Sequence, residues 1–171
     1  MIFTLVILVF LFLGVCGLFV VLADGAFGGL DFKSNQAAIN QVIGIIKQRH
    51  LETGVFYDLG SARGKFALKI AKAFPKLQVS GIDNNSFRLF LSNIRSKFLK
   101  NLNFKKEDIF KTDVSSANII YLYLPKELMP EMENKLQHEL KPGAWVITNK
   151  VNFPHWLPVE KINDLSIYAK V

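Results

Sequence analysis

The first chemistry legible in this chain is an acid followed by a run of small residues. Asp58-Leu59-Gly60-Ser61-Ala62-Arg63-Gly64 follows the apolar run Val55-Phe56-Tyr57 and precedes an amphipathic segment beginning Lys65-Phe66-Ala67. Strand, tight turn and helix N-terminus have this sequence form. Glycines in the turn permit positive φ and let backbone N–H groups approach a ligand. Alone, the pattern also fits a dinucleotide site or a plain structural turn. A second acid narrows the choice. Asp83 ends the next apolar run, Leu77-Gln78-Val79-Ser80-Gly81-Ile82. An acid at the carboxyl end of the second strand of a doubly wound sheet is placed to accept hydrogen bonds from ribose hydroxyls. Asp58, Gly60, Ser61, Ala62, Gly64, Asp83 and the adjoining Asn84 therefore read as a nucleoside-type cofactor site.

The elements that must position these residues follow from periodicity. Residues 35–50 carry Ile39, Val42, Ile43 and Ile46 at helical spacing, with Ser34 as N-cap. The helix over 65–74 buries Phe66, Ile70 and Phe74, and Pro75 stops it. Asn84, Asn85 or Ser86 caps a helix running to Leu99, with Phe87, Phe90, Leu91, Ile94 and Phe98 as its apolar stripe. A short strand contains Phe104, and residues 118–124 are apolar enough for a central parallel strand. A helix over 126–140 starts regularly only at Pro130. Residues 144–148 are a fifth strand, and the tail holds two short strands near 159–162 and 165–170. Alternating strands and helices predict a mainly parallel α/β sheet with right-handed crossovers. Asp58 to Gly64, Asp83, Asp108 and Tyr123 to Pro125 then all fall at strand carboxyl ends, where such sheets bind ligands.

Composition adds bounds. The 171 residues suffice for one domain with a core, and half of them are apolar. Residues 1–23 contain no charged side chain, which predicts a single-pass transmembrane anchor, favoured over a signal peptide because no cation precedes the run. All 21 Lys and Arg follow it, so the positive-inside rule places the remainder in the cytoplasm. The expected division is an anchor over 1–23, a linker and helix over 24–53, and a catalytic domain over 54–171. The net charge of +7 suits either an anionic lipid surface or a nucleic acid. The single cysteine, Cys16, excludes an intramolecular disulfide.

The residues Asp58-Leu59-Gly60-Ser61-Ala62-Arg63-Gly64, Gly81-Ile82-Asp83, Glu107-Asp108-Ile109 and Leu140-Lys141-Pro142-Gly143 together resemble the seven-β-strand, Rossmann-like methyltransferases that use S-adenosylmethionine. Within that superfamily, the apolar N-terminus, Tyr121-Leu122-Tyr123-Leu124-Pro125 and Pro154-His155-Trp156 are most similar to a membrane-anchored group. It includes the ATP synthase c-subunit lysine methyltransferases. The resemblance implies S-adenosylmethionine as cofactor, Asp83 as ribose ligand, and Asp108 with Ile109 on the adenine side. It implies a protein-lysine acceptor, on a membrane or membrane-associated protein. The family loop is Asp-Leu-Gly-Ser-Gly-Asp-Gly-Arg. Ala62 stands here for its middle glycine and Arg63 for its acid, so Ala62 is strained only where its φ is positive.

Methyl transfer from a sulfonium needs positioning and a neutral nucleophile rather than a metal. Cys16 lies in the apolar run and cannot serve pyrimidine C5 methylation. The Asn/Asp-Pro-Pro-Tyr/Phe signature of many amino-group methylators is replaced by Tyr123-Leu124-Pro125. Tyr121 and Tyr123 are assigned to opposite faces of their strand, which leaves Tyr123 to line the acceptor pocket, with Asn149 just past the fifth strand beside it. His50, His138 and His155 have no ligand spacing, so no metal site is expected. A nucleic-acid methyltransferase and a fold retained as a membrane adaptor without activity are the alternative readings.

Overall fold

The computed structural model describes residues 2–27 and 36–171, and the side chains of 3–19 within the first helix. The chain divides into two compact units, Met1–Asp31 and Phe32–Val171. In the first unit, α1 (Ile2–Phe27) leaves its described side chains exposed. The helix does not stop where the uncharged run stops, but continues past Ala23 through Asp24 to Phe27. Among the described residues no helix is long and apolar enough to cross a membrane. The expected single-pass anchor, and with it the cytoplasm-facing membrane localisation, is therefore overturned. A count of uncharged residues does not by itself delimit a spanning element.

The second unit is an α/β sheet whose elements alternate as periodicity predicts. They are α2 (Gln36–Gln48), β1 (Gly54–Leu59), α3 (Lys65–Ala73), β2 (Leu77–Asp83), α4 (Ser86–Ser96), β3 (Leu102–Lys106) and β4 (Ile119–Leu122), then α5 (Met129–Glu139), β5 (Trp145–Asn149), β6 (Glu160–Ile162) and β7 (Leu165–Ala169). Ser34, expected to cap α2, lies outside the described residues. Strand order is β3-β2-β1-β4-β5-β7-β6, with β7 antiparallel to both its neighbours. The order reverses between β1 and β4, which is the topological switch point. Pro130 sits in the first turn of α5, where its missing N–H is no loss.

Two apolar layers enclose the sheet. One joins α2 and α3, through Ile39, Val42, Ile46, Phe66 and Ile70, to Phe56, Val79, Tyr121 and Ile147. The other joins Met132 and Leu136 of α5 to Leu59, Ile82, Leu122 and Val146. Each large apolar side chain fully buried in these layers contributes about 1.5–3 kcal/mol.

Helix α4 departs from expectation. Leu89, Ser92 and Ser96 face inward, whereas Phe90 and Ile94 are exposed, and the helix ends at Ser96, short of Leu99, leaving Phe98 exposed beyond it. The side chains of Phe87 and Leu91 lie outside the described residues. The small serines let α4 approach closely, and each satisfies its hydroxyl locally, Ser92 on the Arg88 carbonyl at 2.9 Å and Ser96 on the Asn93 carbonyl at 3.2 Å. Counting apolar residues therefore selects the wrong face.

Asn101 secures the end of α3 to the start of β2. Its Nδ2 donates to the carbonyls of Ala71, Phe74 and Leu77 at 3.0, 3.1 and 3.0 Å. Asn101→Ala is expected to cost about 1–3 kcal/mol, read as a fall of several degrees in Tm. Asn103→Ala, on an exposed position of β3, should leave Tm nearly unchanged.

Candidate functional site

The turn after β1 is held by its neighbours on β2. Gly60 N–H and Ser61 N–H both donate to the Ile82 carbonyl at 2.9 Å, and Gly64 N–H donates to the Ser61 carbonyl at 2.8 Å. Asp83 Oδ2 accepts Ala62 N–H at 2.9 Å, and Asp83 Oδ1 accepts Asn85 N–H at the same distance. The Arg88 guanidinium lies 3.9 Å from Asp83 Oδ2. Asn85 in turn caps α4, its Oδ1 accepting Arg88 N–H at 3.2 Å. Asp83 thus fixes the loop and retains lone pairs that these bonds do not use.

Two glycines set how closely the loop packs. A Cβ on Gly60 would meet Leu124 Cδ2 at 2.9 Å. Gly64 has φ +67°, and a Cβ there would strike the Phe104 ring and come within 2.8 Å of Ser92 Oγ. The turn can therefore lie against Leu124, β3 and α4 only without side chains at these points. Ala62 has φ +47°, so this alanine is on the strained side of the alternative set by its methyl group. The Asp83 hydrogen bond holds it there. Ala62→Gly should relieve the strain and raise stability by about 0.5–1 kcal/mol, measurable as a shift of the denaturant midpoint.

Asp58 is buried beneath the turn, at 3% exposure. Burial pushes its carboxyl up to about 7, opposed by a hydrogen bond from Ala67 N–H and aided by the charge of Asp83. Its Oδ2 and the Ser61 hydroxyl have no hydrogen-bond partner among the described residues. Asp58 also places an acid at the first turn of α3, where the helix dipole favours it. The folded acid binds its proton up to a higher pH than the unfolded one. Its contribution to stability is therefore complete below the ordinary value of 3.8 and is lost as pH rises through about 7. Unfolding midpoints of the wild type should fall from about pH 5 to about pH 8, and Asp58→Asn should flatten that decline.

The remaining expected residues are dispersed around this centre. Asn84 is exposed at the end of β2. Asp108 is exposed and holds its own turn, its Oδ1 accepting Phe110 N–H at 2.9 Å. That turn begins beside Asp83, whose carbonyl accepts Glu107 N–H at 3.3 Å. Ile109 is half-buried against the α5 layer.

On the other side of the switch point, Tyr121 in β4 and Tyr123 just past its end lie on one face of the sheet. Tyr121 is in the α3 layer and Tyr123 packs against it, which corrects their assignment to opposite faces. Asn149 is the last residue of β5 rather than one beyond it, and its Nδ2 donates to the Tyr121 hydroxyl at 3.0 Å. The Lys150 ammonium lies 5.9 Å from the Tyr123 ring centroid. Phe66 stacks on Tyr121 with centroids 3.7 Å apart. Spacing alone indicated neither Tyr121 nor Phe66 as part of this side.

Residues 58–160, from the loop acid to the start of β6, match the family model of the ANTKMT methyltransferase domain. The chain belongs to that family. It is 29% identical over 125 residues to an ATP synthase c-subunit lysine N-methyltransferase of Xenopus laevis, covering 71% of this chain and 54% of that protein. A protein-lysine N-methyltransferase of Saccharolobus islandicus (strain REY15A) is 29% identical over 111 residues, covering 63% and 69%. The chain spans about half the length of the first of these. Among solved structures, an RNA methyltransferase of Salinibacter ruber in complex with S-adenosyl-L-homocysteine superposes with TM-score 0.70 at 21% identity, covering 81% of this chain and 92% of that one. It shows a shared fold, that of a Rossmann-like methyltransferase.

Proposed function

We propose that this chain is an S-adenosylmethionine-dependent protein-lysine N-methyltransferase, with a catalytic domain over 54–171. The observation that carries the reading is the state of the loop donors. Gly60, Ser61, Ala62 and Gly64 all engage their N–H groups inside the protein, and Ala67 N–H in the first turn of α3 already donates to the Asp58 carboxyl. A phosphate-bearing dinucleotide needs such donors free. A phosphate-free nucleoside needs instead a close backbone and acids for its hydroxyls and ammonium. Asp58 Oδ2 and Ser61 Oγ, buried without partners among the described residues, fit that requirement, and Asp83 lies beside them.

When bound, S-adenosylmethionine supplies a methyl group on a positively charged sulfur, and transfer leaves a neutral thioether and a methylated amine. Asp58 would hold the cofactor's ammonium, and in doing so would give up its own proton. Asp83 would hold the ribose, with Asn84, Asp108 and Ile109 toward the base. Tyr123 and Asn149 would face the acceptor amine. The lysine acceptor is supported by the names of the relatives, an ATP synthase c-subunit lysine N-methyltransferase and a protein-lysine N-methyltransferase. A membrane or membrane-associated substrate is part of the proposal.

The test is transfer of tritiated methyl groups to soluble and membrane fractions offered separately, followed by acid hydrolysis. Label is expected as methyl-lysine and should fall at least tenfold in Asp83→Ala, the loss of one hydrogen-bonded charge being about 1.5–3 kcal/mol. Label confined to RNA would contradict the reading, as would no transfer by a folded chain. Recovery of methyl-lysine from the soluble fraction alone would remove the membrane-associated substrate.

A further inference from the structure

We propose that Tyr121 is a positioning residue for the acceptor amine, its hydroxyl holding the Asn149 amide so that Asn149 Oδ1 receives an amine N–H. This deepens the lysine reading above and rests on it. Asn149 is 3% exposed and Tyr121 1%. The amide is half used: its Nδ2 donates to Tyr121 at 3.0 Å, while its Oδ1 has no hydrogen-bond partner among the described residues. A buried amide oxygen without a partner is costly and rare, and a ligand N–H accounts for it.

Three features make the arrangement a built one. The Tyr121 ring is fixed by stacking on Phe66, at 3.7 Å between centroids and 10° between planes. Phe66 stands in the first turn of α3, directly after the cofactor loop, so the ring is tied to the element that starts there. In the sheet, Tyr121 pairs with Asp58 on one side and Ile147 on the other. Tyr121 and Asn149 lie on one sheet face with Asp58, at the strand carboxyl ends.

The choice of an amide suits the chemistry. An Asn amide can turn two ways, presenting oxygen or nitrogen. The nitrogen would repel an amine N–H; here the nitrogen is turned to the Tyr121 hydroxyl, and the oxygen is left for the amine. A carboxylate in the same place would also accept the N–H, but its charge would hold the lysine as an unreactive ammonium. A neutral acceptor orients the amine without raising its pKa.

The test uses the full chain saturated with S-adenosyl-L-homocysteine and n-butylamine as the lysine side-chain probe. In the wild type, the Asn149 side-chain amide resonances should shift saturably with n-butylamine. Tyr121→Phe keeps the stacked ring and should abolish that shift, with cofactor binding unchanged by calorimetry. It should also lower kcat for methyl transfer about ten- to a hundredfold while the KM for cofactor holds. Asn149→Asp should retain acceptance but move the pH–rate profile to higher pH, which a merely structural role would not do. Wild-type kinetics in Tyr121→Phe, or an Asn149 amide indifferent to n-butylamine, would overturn the proposal. If the wild type labels no lysine, the lysine reading fails, and the n-butylamine response alone then supports or overturns the role of Tyr121.

Discussion

The Asp83 carboxylate is shared between two backbone N–H groups, one on the turn after β1 and one on the entry to α4. Each oxygen takes one of them, so a single side chain at the end of β2 ties together the loop, its own strand and the next helix. Hydrogen bonds to a charged acceptor are the stronger kind. The bond to Ala62 also holds an alanine at positive φ, a conformation costing about 1–2 kcal/mol when nothing supports it. Once Asp83 is in place, Gly60 and Ser61 close on the Ile82 carbonyl, and α3 starts at Gly64 over a buried Asp58. The shape of the candidate site follows from this one set of contacts.

The same contacts limit what the site can hold. The backbone donors of Gly60, Ser61, Ala62 and Gly64 are committed, so the turn offers closeness rather than free N–H groups. Asp58 sits beneath the same turn as a buried acid whose proton is retained to about pH 7. An incoming ammonium would take over the stabilisation that the proton gives. Across the switch point the chemistry changes to neutral groups, the Tyr121 hydroxyl and the Asn149 amide. On the proposed reading, acids facing a cationic methyl donor stand beside neutral groups facing the acceptor, the division that methyl transfer to an amine needs.

Much of the sheet was legible in the sequence, because fully buried parallel strands are continuous apolar runs bounded by turns. The strand within residues 118–124 follows from that rule directly. Helix α4 was not legible. Five large apolar residues suggested an inward stripe, but self-satisfied serines face the core and leave Phe90, Ile94 and Phe98 outside. The N-terminal anchor failed for a related reason, since absence of charge marks composition and not the limits of a helix. In the candidate site, the acids Asp58 and Asp83 were legible from their place at strand ends. The Tyr121–Asn149 bond was not, since it joins residues 28 apart in sequence and depends on strands β4 and β5 lying side by side.

A turn whose N–H groups are already engaged should accept a nucleoside without phosphates and refuse one that carries them. Calorimetric titration of the full chain with S-adenosyl-L-homocysteine and, separately, with an oxidised nicotinamide dinucleotide reads this difference without an intervening step. Saturable binding of the first at low micromolar concentration, about −8 kcal/mol, is expected, with none of the second. Binding of the dinucleotide with no response to S-adenosyl-L-homocysteine would contradict it.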